Sequence, residues 1–115
     1  MPKFCANLTM LYQEVDFLDR FRHAKESGFQ GVEYLFPYQW PAEQLAELLE
    51  RYGLRQVLHN LPAGDWAAGE RGIACIPGRE EEFRKGVSLA VSYAKTLGCS
   101  QLNCLVGKTP EKAAA

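Results

Sequence analysis

The chain has 115 residues, 47% hydrophobic and 23% charged, with a formal net charge of -1; these values describe one ordinary globular domain or part of a larger one. A pI near 6.1 leaves no positive field for nucleic acid as a partner. There is no basic amphipathic helix and no apolar run approaching the roughly 20 residues that cross a bilayer, and Met1-Pro2-Lys3-Phe4-Cys5 lacks the pattern of a signal peptide, so no membrane partner is expected and the expected compartment is the cytoplasm.

The apolar segment from about Lys3 to Leu8 predicts a first strand. A helix is expected from about Gln13 to Ser27, with Phe17, Leu18, Phe21 and Ala24 at helical spacing and Gly28 placed to take the left-handed conformation that ends it. Gly31 to Phe36 reads as the second strand. The second helix is expected to begin near Pro41, a residue tolerated in the first turn, to bury Leu45, Leu48, Leu49 and Tyr52, and to stop at Gly53. Leu54 to Leu58 predicts a third strand. After Pro77-Gly78 a third helix sets Phe83, Val87, Ala90, Val91, Ala94 and Leu97 on one side and ends at Gly98, and Leu102 to Val106 follows as a fourth strand.

Strands and helices alternating with short helix-to-strand connections predict a parallel α/β sheet covered by helices. A doubly wound sheet and a (β/α)8 TIM barrel both satisfy that order. Doubly wound nucleotide folds carry a Gly-rich first turn, whereas Asn7-Leu8-Thr9-Met10-Leu11-Tyr12 has no glycine, which favours the barrel. A whole barrel takes about 250 residues, so residues 1–115 are expected to form the amino-terminal half of a single TIM-barrel domain, its first four strands. The tail from Thr109 to Ala115 falls where a fourth helix should begin. An open half-barrel leaves two parallel edges and an apolar inner face uncovered, which predicts self-association.

Cys5, Cys75, Cys99 and Cys104 show no CxxC spacing and three lie in or beside apolar segments, so they read as reduced, partly buried thiols. Gly107-Lys108-Thr109 follows a strand like the end of a phosphate-binding loop, but that motif needs a glycine where Leu102 stands. ATP binding therefore has little support.

The run from Asn60 to Gly78 exceeds the about 12–15 residues usual for structureless connections, and such loops are functional or disordered. Leu61, Trp66, Ile73, Cys75 and Ile76 argue against disorder. A polar loop with its own apolar anchors, carrying Asp65, Glu70, Arg71 and Arg79, reads as the wall or lid of a site. Ligands of parallel α/β folds gather at the carboxyl ends of the strands, which selects Asn7, Glu33, His59, Asn103 and Lys108 beside that loop. His59 reads equally as a core histidine or a ligand contact. Glu33, flanked by apolar residues, needs a partner or a wet cavity. Arg71 and Lys108 suit an anionic substrate, Arg79 reads as part of a charged first helical turn, Asp65 as a turn former, and Trp66 as a loop anchor. His23 reads as a solvated helix residue.

The stretches Phe4-Cys5-Ala6-Asn7-Leu8-Thr9-Met10-Leu11, Gly31-Val32-Glu33-Tyr34-Leu35-Phe36-Pro37-Tyr38, Leu58 through Arg84, and Asn103-Cys104-Leu105-Val106-Gly107-Lys108-Thr109-Pro110 resemble the amino-terminal portion of the hydroxypyruvate isomerase family, within the xylose-isomerase-like TIM barrels. The resemblance implies an isomerase, an intramolecular oxidoreductase of carbohydrate metabolism that interconverts hydroxypyruvate and tartronate semialdehyde, or acts on a related 2-oxo sugar acid, through an enediol. It also implies a divalent cation, magnesium or manganese, that polarises substrate oxygens in the full-length protein. In that family the paired catalytic glutamates and the metal ligands come from strands five to eight. The resemblance therefore assigns no catalytic residue and no metal ligand to this chain, and no cation is expected to bind it alone. Position by position, it implies that Asn7, Glu33, His59, Arg71 and Lys108 shape the substrate pocket. The chain alone is expected to be inactive. A non-catalytic half-barrel that self-associates is the alternative, and a DNA-repair nuclease sharing the barrel is disfavoured by the near-zero charge and the absence of a histidine cluster.

Overall fold

The computed structural model describes residues 2–110. Strand β1 (Cys5–Asn7) leads through a 3-10 turn (Phe17–Asp19) into α1 (Arg20–Glu26), followed by β2 (Gly31–Glu33), α2 (Ala42–Tyr52), β3 (Arg55–Asn60), α3 (Glu80–Leu97) and β4 (Leu102–Asn103). Each strand pairs in parallel with the next, giving the order β1-β2-β3-β4. A doubly wound sheet reverses its direction of growth at a switch point, and this sheet does not. With right-handed crossovers, sequential order puts the helices on one face, the arrangement of a barrel wall.

Each helix hands over to its strand by the same closure. Gly28, Gly53 and Gly98 take φ of +94°, +62° and +66°, and the next residue's N–H reaches back into the last turn. Phe29 donates to the Ala24 carbonyl at 3.1 Å, Leu54 to Leu49 at 2.9 Å and Cys99 to Ala94 at 2.9 Å. This Schellman geometry satisfies carbonyls that the helix leaves free. It also turns Phe29, Leu54 and Cys99 onto the core.

That core fills the space between helices and the outer face of the sheet. Ala6 and Val32 from the strands, with Leu8 and Tyr34 just after them, meet Phe21, Ala24, Leu45, Leu49, Ala94 and Leu97 from the helices. Fully covering side chains such as Phe21, Leu8 and Leu45 contributes about 1.5–3 kcal/mol each. Phe17 closes one end, edge-on to Tyr34 at 5.1 Å and stacked on Trp40 at 4.2 Å.

Four expectations need correction. The first helix is shorter than Gln13 to Ser27: Tyr12 has φ of +61°, Asp16 is extended, and helical backbone starts at Phe17, where the apolar periodicity itself starts. The second and fourth ladders stop at Glu33 and Asn103, while β3 runs on to Asn60. Val91 is exposed on α3, and Phe83 and Val87 are only half-buried. Cys5 and Cys104 are exposed, leaving Cys99 as the buried thiol. The tail beyond Pro110 lies outside the described residues. Among those residues no helix is long and apolar enough to cross a membrane.

Candidate functional site at the strand ends

A single irregularity decides which side chains face the barrel interior. Gly31 pairs with Arg55 and Val32 with Gln56, but Glu33 pairs with Leu58, a bulge that adds one residue to β3. Because side chains alternate along a strand, one extra residue moves everything after it to the opposite face. Val57 still lies on the inner side, its Cγ2 only 2.9 Å from where a Cβ on Gly31 would stand. Beyond the bulge, Asn60 turns inward and His59 turns outward.

His59 is therefore not a pocket residue, which corrects its selection by strand-end position. It is wholly buried between β3 and α3, its Nε2 3.2 Å from the Ala90 carbonyl and its ring edge-on to Tyr38 at 6.2 Å. The carbonyl only accepts, so Nε2 carries the hydrogen. Nδ1 is then a bare acceptor, buried without a partner among the described residues. Burial holds the ring's pKa below its ordinary value, with the Ala90 contact opposing. A neutral imidazole sealed against a helix is scaffold.

Asn7, Glu33, Asn60 and Asn103 form the inner-face set. Asn7 pairs with Glu33 across β1 and β2, and Asn60 with Asn103 across β3 and β4. Asn7 Nδ2 approaches Glu33 Oε1 at 3.5 Å while its Oδ1 accepts the Thr9 N–H at 3.0 Å. Asn103 Nδ2 donates to Asn60 Oδ1 at 3.1 Å, and Tyr38 donates its hydroxyl to the Asn60 carbonyl. These bonds fix which way each carboxamide points, leaving a mixed donor and acceptor row beside a half-buried carboxylate. The sequence reading took Asn60 only as the first residue of the loop, because only the bulge turns its side chain to the inner face.

Arg71 and Lys108, from separate segments, line one cleft of about 280 Å³ with Ala68, Gly69, Glu70 and Ile76. What brings them together is a backbone crossing. Gly72 bridges Val106 antiparallel, Cys75 donates to the Val106 carbonyl at 2.9 Å, and a Cβ on Gly72 would sit 2.1 Å from the Leu105 carbonyl oxygen. Only glycine permits that approach. Arg71 Nη1 donates to the carbonyls of Trp66 at 3.0 Å and Glu70 at 2.8 Å, and its guanidinium carbon lies 3.8 Å from the Trp66 ring centroid.

The rest of the loop is bracing. Arg79 grips Glu70 with two nitrogens and Glu82 with two more contacts at 2.9 and 2.8 Å, tying loop to helix. Arg79, with the Asp65 N–H in support, holds the Glu70 carboxyl below its usual range. Asp65 is the turn former its sequence suggests, accepting the Ala68 N–H on Oδ1 at 3.2 Å. Trp66 anchors the loop edge-on to Phe36 at 5.0 Å. His23 is half-buried with its ring 5.6 Å from Tyr12, rather than fully solvated.

Magnesium and manganese prefer hard carboxylate oxygens. Glu33 is the one carboxylate on the four strands, and among the described residues no three His, Cys, Asp or Glu side chains converge as a metal site. The residues present do not by themselves fit such a cation.

The family described as xylose isomerase-like TIM barrel matches residues 21–115. The chain is 62% identical over 110 residues to the hydroxypyruvate isomerase of Escherichia coli (strain K12), covering 96% of this chain and 43% of that protein. It is 49% identical over 113 residues to the 2-oxo-tetronate isomerase of Haemophilus influenzae, with 98% and 44% covered. A crystal structure described as an AP endonuclease, family 2, from Brucella melitensis superposes with a TM-score of 0.92 at 52% identity, covering 98% of this chain and 45% of that one. The chain thus spans less than half the length of these relatives. Sequential parallel strands, helices on one face and these matches together place it: the chain belongs to the xylose isomerase-like TIM-barrel family and covers roughly the first half of the barrel.

Proposed function

We propose that this chain is the substrate-shaping half of an isomerase for small 2-oxo acids, interconverting hydroxypyruvate and tartronate semialdehyde or handling the longer 2-oxo-tetronate. The observation that carries this reading is the convergence of Arg71 and Lys108 in one cleft, where the loop that follows β3 crosses the segment that follows β4. Two cations at a barrel mouth suit the carboxylate common to these substrates. Asn7, Glu33, Asn60 and Asn103 then face the oxygens on the neighbouring carbons. Isomerisation moves a proton from one carbon to the adjacent one and a second proton between their oxygens, through an enediol. That demands an acid and base pair, and Glu33 is a single carboxylate contacted by Asn7. The chain therefore binds and orients, and the proton transfers fall to residues of the second half-barrel, as does any divalent cation. The Brucella neighbour carries a nuclease description, but a net charge of -1 favours a small anion over a polyphosphate partner.

The test completes the barrel by joining this chain to the carboxyl-terminal remainder of the Escherichia coli relative. The completed protein is expected to isomerise hydroxypyruvate and the 115-residue chain alone to be inactive. Arg71→Ala should raise KM about tenfold or more, the scale of one lost charge-assisted hydrogen bond. Turnover by the chain alone would overturn the division of labour, and a folded but inactive barrel would overturn the substrate.

A second reading, a non-catalytic half-barrel that pairs with its own copy, is favoured by one observation. Among the described residues β1 and β4 each have a neighbour on one side only.

A further inference from the structure

We propose that Trp66 is a positioning residue that holds Arg71 as a preformed, side-on carboxylate site. The inference rests on the anion-binding reading of Arg71 above and adds the geometry by which the anion is held.

Guanidinium carries five N–H donors in a plane, two on each Nη and one on Nε. In this chain Nη1 donates to two carbonyls, those of Trp66 and Glu70, so both its hydrogens are engaged. The end-on edge, which pairs Nη1 with Nη2, is thereby closed to a ligand. The side edge, Nε with Nη2, keeps two parallel donors. The guanidinium carbon lies over the Trp66 ring, 3.8 Å from its centroid, a cation–π contact that uses the charge and not the remaining N–H donors. One residue thus holds Arg71 twice, by ring and by backbone carbonyl.

Trp66 is itself held. Its ring meets Phe36 edge-on at 5.0 Å. Lys108 lines the same cleft as Arg71, its Nζ 3.9 Å from where a Cβ on Gly69 would stand. Glu70 also lines the cleft, but its carboxylate is held by Arg79, so the site is a fork on one wall with a point charge beside it, which matches a planar carboxylate gripped along one edge. Because the fork is fixed before the ligand arrives, little side-chain freedom is lost on binding.

The probe is tartronate, a hydroxylated dicarboxylate that cannot isomerise, titrated into the 115-residue chain by calorimetry while the Arg71 Nε–H resonance is followed by NMR. One saturable site is expected, with Nε–H moving downfield. Trp66→Phe should bind within about threefold of the parent, since a ring and the carbonyl remain, and Trp66→Ala should weaken binding about tenfold. Arg71→Lys, which keeps the charge and loses the fork, should also lose about tenfold. Trp66→Ala binding like the parent would overturn the positioning role. Should that variant disturb the loop, Arg71→Lys decides, and undiminished binding by it overturns the site. No saturable binding overturns it as well. Tartronate bound at Arg71 with no turnover by the completed barrel sinks the isomerase reading and leaves the site standing. Turnover with Arg71 Nε–H unmoved does the reverse.

Discussion

His59 and Asn60 are neighbours in sequence and face opposite layers of the protein. Burial keeps the His59 ring below its ordinary 6.5, so at this position the folded chain binds fewer protons than the unfolded chain. Its contribution to stability is complete above about pH 6.5 and is lost as the pH falls below it. The urea midpoint should therefore drop between about pH 7.5 and about pH 5.5, and drop less in His59→Gln, which keeps an N–H for Ala90 and does not titrate. Equal drops in both proteins would remove His59 as the cause. That residue was legible from the sequence as polar and strand-terminal, but its face was not. Alternation counted along β3 from Arg55, the partner of Gly31, puts His59 inside, and only the residue added to β3 before Leu58 reverses it. Glu33 keeps its face because the added residue lies on β3 and not on its own strand, and the sequence required for it a partner or a wet cavity, of which Asn7 at 3.5 Å is the contact the fold supplies.

Among the elements, the loop after β3 owes its shape to glycines that differ in what surrounds them. Gly72 has φ of +111° and its absent Cβ would lie 2.1 Å from a backbone oxygen, whereas Gly78, at φ of +85°, has nothing within 4 Å. Gly72→Ala should cost about 3 kcal/mol or more, from strain plus forced separation of the two segments. Gly78→Ala should cost about 1–2 kcal/mol, from the left-handed backbone alone. Denaturant unfolding of the two variants checks this, and equal losses would show that the crossing of Gly72 over Leu105 and Val106 is not what holds the loop. The sequence exposed the loop's length, its anchors and the turn at Asp65. It did not expose the Gly72 to Val106 bridge, because nothing local marks a contact between segments so far apart in the chain.

At the scale of the whole molecule, the helix-covered face is finished and the inner face is open. Phe4, Met10 and Val106 are 65%, 63% and 61% exposed, and among the described residues β1 and β4 each have a free side that offers backbone groups for parallel pairing. Light scattering at about 0.1 mM, with self-association at micromolar to millimolar strength, is expected to show species larger than one chain. A monodisperse monomer would remove the half-barrel pairing and leave the isomerase reading untouched. Completing the barrel with the second half should abolish the association, since the same edges would then be paired within one chain.

The sequence by itself determined the alternation of elements, the glycine that ends each helix and the apolar rows that cover the sheet. These follow from neighbours within a turn or two, where backbone sterics and side-chain period act directly. Only the tertiary structure decided that the strands stand in sequential order, that Asn60 rather than His59 faces the interior, and that Arg71 meets Lys108. Each of those depends on register and on backbone crossings between distant segments, and one added residue in a strand is enough to exchange its two faces.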